Sequence, residues 1–284
     1  MGVFKMNKIT LKEINTSDLI NNKAKQWSRD NLEYLNKPMK LFGSSQKVEK
    51  GADKFTTYIL YLQPADKVST KTLCVFADLA GCKRDCLISS GQLGMTTGQN
   101  AATKRTVLML LRPEWFEAQL LSEIDKAERK AAIDGIPALF RLNGTSDLNF
   151  DYIIKQRPKS LFYDYTKILS RISKNTLDNY DLTFSGSMYS TQSRAALLKA
   201  VQRKHRIAVA FNTKGISRDS LSVPVGFANF DNTDLRHLDG PVIGALKRKG
   251  SSIKERESDN KKSSSFFITA AYLPAFNNII AIGG

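Results

Sequence analysis

The residues best equipped for chemistry close three short apolar runs: PALFRLNGTSD (137–147), SLFYDYTK (160–167) and NYDLTFSGS (179–187). In RLNGTSD (141–147), Arg141 can grip a carboxylate or phosphate with paired hydrogen bonds, Asn143 supplies a donor and an acceptor, and Asp147 suits a base or ligand. The same residues have a plainer use, with Asp147 capping the next helix and Arg141 held in a structural ion pair. YDYTK (163–167) adds Asp164, Thr166 and Lys167, and LTFSGS (182–187) adds Thr183, Ser185 and Ser187. Arg141, Asn143, Asp147, Asp164, Lys167 and Ser185 therefore form the expected catalytic set, with Thr145, Thr166, Thr183 and Ser187 beside them. In α/β folds such residues gather at the carboxyl ends of the strands, where alternate side chains point to one opening.

A second constellation is the C-x7-C-x3-C of Cys74, Cys82 and Cys86. Three thiolates can hold an iron–sulfur cluster with one iron left open, or zinc with a fourth ligand from elsewhere; free cysteine also packs as a small hydrophobe. Both histidines, His205 and His237, lie far away in sequence. The surrounding loop (78–105) carries Lys83, Arg84, Lys104 and Arg105 among Gly91, Gly94 and Gly98, a composition that can cradle phosphate. With Lys214, Lys247, Arg248 and Lys249, these cations make the expected nucleic-acid-binding set. Trp27 and Tyr34 could stack on bases, or pack the N-terminal segment onto the rest of the chain. FDNTDLRHLD (230–239) offers an Asp–His pairing for acid–base work and, in Asp231 and Asp234, a Mg²⁺ chelate; a loop with helix-capping aspartates is the commoner use of such a run. No GxxxxGK[ST], no GxGxxG after a strand and no Gly-x-Ser-x-Gly elbow occurs, which argues against a P-loop, a dinucleotide fingerprint and a serine triad.

A scaffold must bring these tips together. Runs rich in β-branched and aromatic residues predict strands at 55–62, 72–77, 137–143, 160–166, 179–185, 206–214, 223–231, 241–249 and 266–272. Helical spacing begins near Thr97 and resumes at Pro113, where Trp115, Phe116, Leu120, Ile124, Ala127 and Ala131 recur until Gly135 stops the helix. Shorter helices are predicted at 149–157, 168–174 and 193–204. Strands alternating with helices imply a parallel sheet, and the strand count favours a TIM-barrel-like α/β fold, complete or partial. An open doubly wound sheet is the alternative, because some connections are too short for a full helix. Residues 1–54 read as a basic arm or cap, and 55–284 as the barrel-like domain with a mobile charged loop at 250–265.

Lysine and arginine number 43 against 27 acidic residues, a formal charge of +16, which points to polyanions and first to nucleic acid, DNA above RNA. No long apolar run or signal core is present, and an odd three cysteines do not make a secreted disulfide framework, so a reduced cytoplasm is expected. The runs GCKRDCL, RLNGTSD, FYDYTK, YDLTFS and TDLRHLDG resemble those of a family of phage-encoded proteins across roughly residues 55–250. That family is distantly similar to radical S-adenosylmethionine barrels. The resemblance implies an α/β barrel with cysteines near its first strand, a viral origin and residence in the host cytoplasm, and it carries over no catalytic residue. Three readings follow: a phage protein that binds nucleic acid through a basic rim, a barrel enzyme with its site at the strand ends, or an inhibitor or recruiter of a host protein.

Overall fold

The computed structural model describes residues 6–43, 52–83, 86–211, 227–247, 268 and 272–283. The strands are β1 (Phe42–Gly43), β2 (Thr56–Leu60), β3 (Ala138–Arg141), β4 (Leu161–Thr166), β5 (Tyr180–Gly186), β6 (Ile207–Phe211), β7 (Phe227–Asn229) and β8 (Ile243–Lys247). They form one eight-stranded sheet in the order β1-β2-β3-β4-β5-β6-β8-β7. Only β1 runs antiparallel to its neighbour, with Phe42 opposite Leu60. Every other pairing is parallel, from Thr56 opposite Ala138 through Phe162 opposite Tyr180 to Ile207 opposite Ile243.

The sheet is open. From β2 to β6 the strands follow one another as they would around a barrel, but β1 and β7 lie at opposite edges and do not pair among the described residues. The expected barrel is therefore corrected to an open sheet. The single helical turn Gly91–Gly94 packs through Leu93 on one face, and the longer helices gather on the other. Phe140, Phe162 and Leu182 point to that face, where they join Phe116, Leu120 and Ile124 in one apolar cluster. Farther along, Phe184, Ile207 and Val209 meet Leu197 and Phe276 in a second cluster. The period of two along a strand sends the intervening residues, Leu139, Arg141, Tyr163, Tyr165, Thr183 and Ser185, to the other face.

The covering helices follow ordinary local rules. Here α1 is Leu11–Thr16, α2 Asn22–Asp30, α3 Leu32–Leu35, α4 Thr96–Leu111 and α5 Pro113–Asp134. After them come α6 (Asp151–Lys155), α7 (Leu169–Ser173), α8 (Thr191–Gln202) and α9 (Leu273–Gly283). α5 begins with proline at its first turn and ends at Gly135, whose φ of 70° is the left-handed conformation that costs glycine least. Its buried side chains Phe116, Leu120, Ile124 and Ala127 form one stripe toward the sheet. Burying each large apolar side chain there contributes about 1.5–3 kcal/mol. The N-terminal residues join the same cluster: Ile9, Ile14, Ile20, Leu35 and Leu41 are buried with Phe140. Glu123 of α5 accepts hydrogen bonds from the amides of Leu41 and Phe42, which holds β1 on the sheet edge.

TLCVFA (72–77) is not a strand. It runs through turns, and Val75 is 62% exposed. Of FFITAAY, only Ile268 and Tyr272 are described; Ile268 bridges to Phe211 in parallel. The charged loop 250–265 lies outside the described residues.

Candidate functional site

At the carboxyl ends of β3, β4 and β5 the polar residues form two linked networks. The first centres on Asp164, 1% exposed. Its carboxylate accepts the Asn143 amide N–H at 2.8 Å, the Asn143 Nδ2 at 3.3 Å and the Tyr180 hydroxyl at 3.0 Å. Arg141 Nε stands 3.9 Å away. Burial wins over these donors and pushes the Asp164 pKa up to about 6.

The second network centres on Asp147. It accepts Thr166 Oγ1 at 2.9 Å, the Lys167 amide at 2.9 Å and Arg171 Nη1 at 2.7 Å. Lys167 Nζ in turn donates to Ser185 Oγ at 3.3 Å. Burial disfavours the charge on Lys167, yet the negative charge of the groups around it, Asp147 among them, pushes its pKa up, so it is an ammonium at neutral pH. Asn143 and Asp164 thus meet in one network, and Asp147, Lys167 and Ser185 in the other.

Arg141 is drawn elsewhere. On the face away from the longer helices it donates to Asp234 Oδ2 at 3.1 Å, while Tyr163 and Tyr165 donate to the same carboxylate at 2.8 and 3.0 Å. Burial opposes the charge on Arg141, and Asp234 with the tyrosines outweighs it and raises its pKa. The arginine therefore staples the 230–239 loop to β3 and β4, with Leu235 packed against Leu139 and Tyr163. Sequence reasoning offered Asp234 as a Mg²⁺ ligand or, more commonly, a capping aspartate, and passed over Tyr163, Tyr165, Arg171 and Tyr180. The only signal for the tyrosines was their alternation with Asp164 in FYDYT.

Two of the neighbouring hydroxyls close off backbone and a third takes a side chain. Thr145 donates to Leu62 O, Ser187 to Ala80 O at 2.7 Å, and Thr183 accepts from Arg206 at 2.8 Å. The expected Asp–His pair is absent among the described residues: both ring nitrogens of His237 lack a hydrogen-bond partner, and burial lowers its pKa. Its ring instead meets Phe55 edge-on at 4.7 Å.

Cys74, Cys82 and Cys86 are free and partly buried. Cys74 and Cys82 donate weakly to the carbonyls of Thr145 and Ala77, each at 3.7 Å. Burial pushes the Cys74 thiol up to about 12 and also raises Cys86, so both are protonated at neutral pH. Among the described residues no three His, Cys, Asp or Glu side chains are grouped to hold a metal ion.

The expected phosphate contacts are scattered. Lys104 is fully buried rather than presented to a ligand: its ammonium donates to the carbonyls of Tyr34 and Lys37 and lies 4.5 Å over the Tyr34 ring, and burial lowers its pKa to about 8. Lys83 pairs with Asp66 at 2.8 Å, and Arg105 reaches Lys40 O at 3.4 Å. Lys247 is described through its backbone in β8, while Arg84, Lys214, Arg248 and Lys249 lie outside the described residues. Trp27 packs against the main apolar cluster and meets Tyr34 edge-on at 6.3 Å.

Among the described residues no helix is long and apolar enough to cross a membrane. No curated protein and no solved structure matches the chain, and the likeness to radical S-adenosylmethionine barrels gains no support. A family model described as Gene product 88 matches residues 30–269, a span running from the end of α2 past β8 and containing both strand-end networks. By that match over most of its length, the chain belongs to the Gene product 88 family of bacteriophage proteins.

Proposed function

We propose that the protein binds nucleic acid, with DNA as the first candidate, in the host cytoplasm. The observation that carries this reading is the formal charge of +16 on 284 residues. A field of that size attracts polyphosphate and gains from counterion release. The test is fluorescence anisotropy with labelled single-stranded and duplex DNA over a range of salt. Binding should weaken about tenfold or more between roughly 50 and 200 mM salt. Absence of binding at the lowest salt overturns the reading.

A second reading, an enzyme working at the strand ends, is favoured by the Lys167–Ser185 contact of 3.3 Å. A protonated lysine does not activate the hydroxyl as a base; the pair would hold a negatively charged substrate group. A thermal-shift screen of small phosphates and carboxylates checks it. A hit that disappears in Lys167→Met supports the site, and a hit indifferent to that change removes it.

A further inference from the structure

Between the first turn of α2 and the carboxyl end of β2 lies a cavity of about 850 Å³. We infer that it binds the base and phosphate of an unpaired nucleotide. The inference rests on the nucleic-acid reading and gives it a specific site on the molecule.

The walls supply the chemistry such a ligand needs. Trp27 forms an aromatic side, held in place by its indole N–H bond to Asn100 Oδ1 at 3.0 Å. A flat ring of this kind stacks with any base. Gln63 lines the cavity and is 4% exposed. Its amide nitrogen is shared among Gln99 O, Gln99 Oε1 and Thr103 Oγ1, each at 3.1 Å. Its Oε1 has no hydrogen-bond partner among the described residues. A buried acceptor left alone costs free energy, and a turn of the Gln63 amide toward the cavity would let the N–H edge of a base satisfy it.

The phosphate side is equally apparent. Lys23 and Lys67 also line the cavity, are exposed, and have no carboxylate partner among the described residues. Asp66, the one acidic neighbour, is held by Lys83 at 2.8 Å. The positive end of the nine-residue helix α2 opens on the same space. An aromatic wall, an orphaned acceptor and paired ammoniums match a nucleotide better than a neutral or purely apolar ligand. A base paired inside a duplex has neither its face nor its Watson–Crick edge free, so single strands or free nucleotides are the ligands.

The chain has two tryptophans, Trp27 and Trp115, so a Trp115→Phe background assigns the fluorescence to Trp27. That protein would be titrated with dAMP, a short single-stranded oligonucleotide and a blunt duplex, with anisotropy of the labelled strands recorded in parallel. The expected result is saturable quenching by dAMP and by the single strand but not by the duplex. The variants Lys23→Ala/Lys67→Ala and Trp27→Phe should each weaken single-strand binding by about tenfold. The lysine variant alters exposed side chains only and serves even if a Trp27 variant unfolds. Strand binding without quenching, unchanged in both variants, overturns the cavity and leaves the general reading standing. Quenching by dAMP without strand binding keeps the cavity as a mononucleotide site and removes the general reading. Neither signal overturns both.

Discussion

Asp164 carries the clearest single-residue consequence. Its folded pKa, about 6, lies above the ordinary 3.8 because burial disfavours the carboxylate. Between those values the folded protein holds a proton that the unfolded chain has lost, so the contribution of this group to stability falls as pH rises through that window. The loss is on the order of 2–3 kcal/mol. Urea midpoints followed from pH 3.8 to about 6 should show a declining component that Asp164→Asn lacks; identical pH profiles for the two proteins would contradict the assignment. Asp234 matters through its partners: three donors, from Arg141, Tyr163 and Tyr165, converge on it. Asp234→Ala leaves a buried guanidinium without its counter-charge and should cost about 3–5 kcal/mol in urea unfolding. A double change of Arg141→Met with Asp234→Leu should recover much of that cost, because it removes both charges. These residues were visible in the sequence as chemistry-bearing types. Their partners were not, since Arg141 and Asp234 lie 93 positions apart and no local pattern joins them.

At the scale of elements, the β7–β8 edge depends on a close approach. Phe230 lies over Gly244, where an added Cβ would meet the ring at 2.1 Å. The fully buried Phe230 also carries the Arg236 guanidinium 3.8 Å above its ring. Gly244→Ala must push this stack away, at about 1–3 kcal/mol. Thermal unfolding read at that edge by hydrogen exchange should show β7 and β8 losing protection before β2–β5. The long helix α5 and strands β3 to β6 were legible because each carries an unbroken period and a terminal signal, such as Pro113 and Gly135. TLCVFA carried the right residue types for a strand and became a series of turns, because strand propensity depends on tertiary context and not on composition alone.

For the whole molecule, the charge of +16 acts on folding as well as on partners. Like charges repel in the compact state, and salt screens them within a Debye length. The melting temperature should therefore rise by a few degrees between about 20 and 200 mM salt, in a buffer free of polyanions. A flat or falling curve would mean that the exposed cations are already balanced by local pairs. Added single-stranded DNA should raise the melting temperature most at low salt, where binding is tightest, as the linkage between ligand and folded state requires.

The amino-acid order alone determined the parallel α/β character, the strands and helices from 96 to 211, the basic charge, and the polar identity of the strand ends. These depend on nearest-neighbour spacing, which the chain carries locally. Tertiary structure decided that the sheet stays open, that Arg141 turns to Asp234 while Asp147 and Asp164 join separate networks, and that Lys104 is buried beneath Tyr34. Each of these depends on which distant segment arrives to satisfy a buried charge or hydrogen bond, and that is settled by packing in three dimensions rather than by spacing along the chain.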